Sequence, residues 1–144
     1  MEKETKQEDI NGNLKNNMEN KELTIRSLIT DIVNEMVKAS ISDKTYPPSW
    51  WLVKSLELSP LIQKASERMV KLNQEIAQLK VEILDKAKEN KEKISMTEID
   101  VRMEATDIQA ESNYLKGLIT WSYEEINLAK KMASIDSKEL NNQY

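Results

Sequence analysis

Three carboxylates, Glu104, Asp107 and Glu111, fall at i, i+3 and i+7, a spacing that sets them on one face of a helix as a metal-binding or acid–base cluster requires. Carboxylate di-metal bundles complete their ligand sets with histidine, and this chain of 144 residues contains no histidine and no cysteine. The three carboxylates therefore read as a solvated face opposite the lysines of a neighbouring helix. Glu124 and Glu125 are adjacent and point in different directions on a helix, so they form no acid–base pair. The same absences remove the Ser-His-Asp triad, the thiolate nucleophile, the zinc finger and the disulfide framework. With Gly12 and Gly117 as the only glycines, no phosphate-cradling glycine loop can be written. No catalytic residue, cofactor or metal is expected, and the chain is not read as an enzyme.

Two groups remain that could bind something. Lys80, Lys86, Lys88, Lys91 and Lys93 gather toward one helix end, where ammonium groups neutralise phosphates in a salt-sensitive, sequence-blind way. Asp85, Glu89 and Glu92 are interleaved with them and no aromatic is present to stack a base, so a solvated loop is the competing reading. Tyr46-Pro47-Pro48-Ser49-Trp50-Trp51 packs three aromatics into six residues of a chain with three Trp, four Tyr and no Phe. It reads either as an exposed anchor for a partner or for stacked bases, or as a plug closing a helical core, with the prolines setting the corner.

The formal net charge is −4, from 21 Lys+Arg against 25 Asp+Glu, so any grip on nucleic acid must be local. No run of 18 apolar residues exists and the first 21 residues are polar; neither a membrane span nor a signal peptide is expected. The lack of cysteine fits a reducing cytoplasm.

The elements that must position these groups are all helical. Residues 1–21 hold few aliphatics (Met1, Ile10, Leu14, Met18) and are expected to form a disordered polar arm. From Glu22 to Ser40, Ile25, Leu28, Ile29, Ile32, Val33, Met36 and Val37 recur at three- and four-residue steps, which predicts a shorter amphipathic helix. Residues 41–58 are expected to form a Pro/Trp linker. Ser59-Pro60 is read as a helix start, with serine as N-cap and proline at the first position. Ile62, Ala65, Met69, Leu72, Ile76, Leu79 and Ile83 then alternate three- and four-residue steps as a heptad seam. Ser95-Met96-Thr97-Glu98 is a capping-box sequence restarting the chain as one helix, with the seam Val101, Ala105, Ile108, Ser112, Leu115, Ile119, Ser122, Ile126 and Ala129.

The expected fold is thus all-α: a long antiparallel, coiled-coil-like helical hairpin over 59–133, preceded by the amphipathic helix and the arm, and followed by a polar tail over 134–144. A second apolar stripe, Met103, Tyr114, Leu118, Trp121 and Leu128, joins Trp50 and Trp51 as the expected oligomer or partner interface. Narrow seams of this kind complete their burial by oligomerising, so a homo-oligomer is expected. Within an apolar helix, Gly117 marks either the close approach of a neighbour or neutral drift.

From Trp50 to Met132 the plan of parts resembles a phage recombination mediator of the T-even UvsY type. The resemblance lies in the aromatic start Trp50-Trp51-Leu52 and in the helix ending Leu79-Lys80-Val81-Glu82-Ile83-Leu84-Asp85. A short basic connector, the restart Ile94-Ser95-Met96, the aromatic patch from Asn113 to Trp121 and the ending from Ile126 to Lys131 complete it. The resemblance implies a non-catalytic oligomeric protein that binds single-stranded DNA and helps a RecA-like recombinase displace single-strand-binding protein. It also implies DNA contact at the connector, where this chain keeps the lysines but lacks the family's tyrosine and glycine. The alternative from another class is a coiled-coil interaction protein, a virion assembly component or an inhibitor of a host complex, that touches no nucleic acid.

Overall fold

A computed structural model describes Asn20 and residues 24–142, with side chains up to Ile135; the expected arm over 1–21 lies outside this range except for Asn20. Among the described residues the fold is all-α. It comprises α1 (24–40), α2 (Pro48–Glu89), α3 (Met96–Glu104) and α4 (Asp107–Asn142). At 1.5 Å per residue the 42 residues of α2 span about 63 Å and the 36 of α4 about 54 Å.

Helix α1 ends where Ser40 and Ser42 compete for the backbone. The Ser40 hydroxyl donates to Val37 O at 2.6 Å, and Ser42 Oγ accepts from Lys44 N–H at 3.1 Å. The chain then turns at the proline pair. Pro47 is extended (φ −66°, ψ 153°) because Pro48 follows it, and Pro48 opens α2 where its missing N–H has no partner to lose. The expected linker over 41–58 is therefore mostly helix, and α2 starts eleven residues before Ser59. Pro60 lies inside α2 instead of at its start. It is tolerated because it sits on the exposed face, where the Leu56 carbonyl it deprives can turn to solvent.

At the other end, α2 closes in a Schellman motif: Glu92 N–H donates to Ala87 O at 2.8 Å and Lys91 N–H to Lys88 O at 3.1 Å. Lys91 takes the left-handed conformation this requires, φ 55°. Ser95 then caps α3, its hydroxyl accepting from Glu98 N–H at 3.2 Å, as its sequence predicts.

The expected single helix from Ser95 to 133 is broken at Ala105–Thr106. Thr106 Oγ1 donates to Met103 O at 2.6 Å and accepts from Gln109 N–H at 3.3 Å, ending α3 and capping α4. The break resets the helical phase. Ile99 and Met103 are buried in α3, whereas Val101 and Ala105 of the expected seam face solvent. Beyond the break the seam holds, with Ser112, Leu115, Ser122 and Ala129 buried. Helix α4 continues to Asn142, through what was expected to be a tail.

Helices α2 and α4 run antiparallel, as the short connector around Asn90–Ile94 predicts: Arg68 meets Glu111, and Ile62 shares a groove with Ile126. Nearer the connector, Lys80 meets Asp100 of α3 at 3.6 Å. Helix α1 joins them as a third core helix, antiparallel to α2. Arg26 reaches Glu111 and Glu35 reaches Lys54. Two cores result. Ile29, Val33, Met36, Trp51, Leu58, Ile62, Leu72 and Leu115 belong to the larger, three-helix one. Ile76, Ile99 and Met103 form a smaller one at the connector end, with Leu79, Ile83 and Ile94 packed against it.

Candidate nucleic-acid interface

The connector lysines stand where α2 ends. Lys86 and Lys88 occupy its last turn, where the carbonyl end of the helix favours cations; Lys91 follows in the turn itself and Lys93 in the segment leading to α3. All four are exposed. Lys80 is half-buried and paired with Asp100, so it does not stand with the others. Among the described residues no aromatic ring contact involves this end.

The carboxylate cluster dissolves. Glu104 ends α3 and Asp107 begins α4, so the break removes them from a common helix face. Glu111 is not solvated opposite lysines; it is 20% exposed and gripped by two arginines. Arg26 Nη2 donates to its Oε1 at 2.7 Å, while Arg68 makes a fork, Nε to Oε1 at 3.1 Å and Nη2 to Oε2 at 3.2 Å. One carboxylate thus ties α1 and α2 to α4. Among the described residues no group of three acidic, histidine or cysteine side chains could hold a metal ion.

The expected interface stripe also divides. Trp51, Met103 and Leu118 are buried in the chain's own core and unreachable by a partner in this fold. Trp51 is the plug, 1% exposed, with the Trp50 ring edge-on at 4.9 Å and Tyr46 tilted against Trp50 at 4.5 Å. Trp50, Trp121 and Leu128 are half-buried. Tyr114 alone of the set is open, 51% exposed. Among the other apolar side chains that face solvent are Leu52, Val53 and Leu56 on the outer side of α2. Gly117 has nothing within 4 Å of where a Cβ would stand, so no close helix approach explains it.

A second cationic site lies away from the connector. Lys64, Arg68 and Lys71 follow one another at i, i+4 and i+7 on α2, and Arg26 faces them from α1. Together with Glu67 they line an open groove of about 310 Å³ floored by Ile25, Ala65 and Leu115. Arg26 also lies over the Tyr114 ring, its guanidinium carbon 5.4 Å from the ring centre, which places an exposed aromatic beside the groove. The Lys64-Arg68-Lys71 spacing is visible in the sequence, but it does not stand out there because Glu67 and Glu75 are interspersed. Arg26 and Tyr114 come to it only through the fold.

Ionisable groups are also shifted elsewhere among the described residues. A hydrogen bond to the Glu35 carboxylate holds the Lys54 ammonium above its ordinary range. Burial, with the neighbouring charge of Glu124, pushes the Glu125 carboxyl up, and its Oε2 has no hydrogen-bond partner. No described helix is long and apolar enough to cross a membrane. The chain matches no family model, no curated protein and no solved structure.

Proposed function

We propose that this chain is a non-catalytic, oligomeric accessory protein of phage DNA recombination or replication that binds single-stranded DNA and assists loading of a RecA-like recombinase. The observation that carries the reading is the end of α2, where Lys86, Lys88, Lys91 and Lys93 stand exposed around one turn. A helical rod with its cations displayed at fixed places suits a strand held by its phosphates, and several copies in one assembly would add weak sites by multivalency. Fluorescence anisotropy of a labelled single-stranded oligonucleotide tests it: binding should appear at low salt and weaken as salt rises. Absence of binding by the intact protein at low salt refutes the DNA reading.

The second reading, a helical interaction protein without nucleic acid, is favoured by Leu52, Val53 and Leu56, which present aliphatic surface on the outside of α2. It predicts association that persists at high salt and is lost in Leu52→Glu with Leu56→Glu, read by light scattering.

A further inference from the structure

We infer that a second copy of this chain docks along the outer face of α2, beside α4, to give a parallel two-fold dimer; the inference supplies an interface for the oligomer of the reading above and rests on that reading.

The core seam of α2 passes through Leu58, Ile62, Ala65, Leu72 and Ile76. Displaced from it by one residue, and so by about 100° around the helix, a second stripe repeats the same three- and four-residue steps. Leu52, Leu56, Val70 and Ala77 are its apolar members, all exposed, the first three at 58–64%. Between them Ser59 and Ser66 are small enough for another helix to come close, and Gln63 and Asn73 carry amides that pair with their own copies across a two-fold axis, as polar seam residues do where they fix register. No position of this stripe from Leu52 to Ala77 is charged, in a chain with 32% charged residues. A face left to water has no reason to exclude charge over about 38 Å, whereas a helix–helix seam does. Toward α4 the stripe opens into a groove of about 300 Å³, in which Ser59, Gln63 and Ser66 stand opposite Tyr123 and the lining is uncharged throughout. The groove lies on the side of α2 away from α1, so a helix enters it without displacing one.

The charges bordering the stripe select a second copy and its direction. Lys116 and Lys130 stand seven residues before and after Tyr123, on the same face of α4, and both are exposed. The border of α2 farther from α4 carries the exposed Glu67. Leu115 and Ala65 meet in one groove floor, so Lys116 and Glu67 stand at about the same height along the rod. A two-fold axis parallel to α2 sets α4 of each copy beside the far border of α2 in the other, with Lys116 opposite the partner's Glu67 on both sides of the seam. An axis perpendicular to α2 brings the two α4 edges together instead, lysine against lysine. Parallel pairing also sets both connectors at one end, where Lys86, Lys88, Lys91 and Lys93 of two copies form one cationic surface and a strand meets twice the cations.

Light scattering on the full chain should give a dimer or an even multiple of it. Leu56→Glu with Val70→Glu should weaken that association about tenfold or more, with helicity by circular dichroism unchanged because both side chains are exposed in the single chain. Lys116→Glu and Glu67→Lys should each weaken it a few-fold and should compensate each other when combined. Disulfide trapping reads the direction, since the chain has no cysteine of its own. Leu52→Cys alone and Ala77→Cys alone should each cross-link to their own kind, and a mixture of the two should give no mixed product, the two positions lying about 38 Å apart along a parallel pair. A monomer overturns the inference, as does an oligomer indifferent to Leu56→Glu with Val70→Glu; mixed cross-links overturn the parallel axis. Oligo(dT) anisotropy on the same samples separates the two failures. Oligonucleotide binding by a monomer, or by an oligomer joined through another face, leaves the DNA reading standing without this interface, whereas a parallel dimer that binds no oligonucleotide leaves the interface standing without the DNA reading.

Discussion

Replacing Glu111 with Gln keeps the volume of the side chain and removes its charge, so Arg26 and Arg68 are left facing each other without the carboxylate between them. Three hydrogen bonds to a charged acceptor, at 2.7, 3.1 and 3.2 Å, are weakened together. Each is worth about 1.5–3 kcal/mol when fully sheltered, and loss of a partner from a buried ion pair costs about 3–5 kcal/mol. The three side chains keep 20–25% of their exposure, so water and salt screen part of this. About 2 kcal/mol of unfolding free energy is the expected loss, near 8 °C in Tm for a domain of this size. Urea unfolding followed by far-UV circular dichroism measures it, at low and at high salt. The loss should shrink at high salt because part of it is the repulsion of two partly exposed guanidinium groups. A loss below about 0.5 kcal/mol refutes the view that one carboxylate pins three helices.

Three further substitutions follow from local geometry. Lys91→Gly should stabilise the chain by about 0.5–1 kcal/mol, because glycine takes φ 55° without the clash of a Cβ; a thermal melt shows it as a rise of a few degrees. Gly117→Ala should stabilise by about 1 kcal/mol, since the space is open and the site is in the middle of α4; urea midpoints check it, and a loss of stability would mean that the close approach exists after all. Glu125→Met should stabilise by about 1–3 kcal/mol at neutral pH by removing a buried, unpartnered carboxylate oxygen. Because the folded-state pKa is raised, wild-type stability is favoured below the unfolded value of 4.5 and falls as pH rises through the folded one; the advantage of the variant should therefore vanish in acid and grow toward neutrality.

The seam of α2 was legible because its three- and four-residue steps run unbroken from Ile62 to Ile83, and burial alone decides which face turns inward. Antiparallel pairing followed from the short connector. The Pro60 and Ala105 errors have one origin, the weight given to a local signal without its surroundings. Ser59-Pro60 has the chemistry of a helix start, yet on an exposed face a proline does not have to begin one. The start at Pro47-Pro48 obeys the same rule, and the double proline drew attention to extension instead. At the α3–α4 break the signal was present: Thr106-Asp107-Ile108-Gln109 has the capping-box spacing, and half of the box forms. The uninterrupted apolar pattern across it favoured continuity. Of the candidate sites, the connector lysines were visible as a run. The groove was not, because a pair of arginines on one glutamate joins residues 26, 68 and 111, a separation no short-range pattern reports.

The Ala105–Thr106 break has a consequence for how the rod comes apart. Nine-residue α3 is too short to persist without packing, and it rests on the smaller core of Ile76, Ile99 and Met103. With caps on both sides of the break, α3 can detach without disturbing the first turn of α4. The connector tip therefore constitutes its own unit of opening, exchanging its amide hydrogens at a lower free energy than the three-helix end, where Trp51 and Leu58 are enclosed. Graded exchange along α2, slow up to Leu72 and faster beyond Ile76, is the signature of a molecule that frays from one end while the other holds.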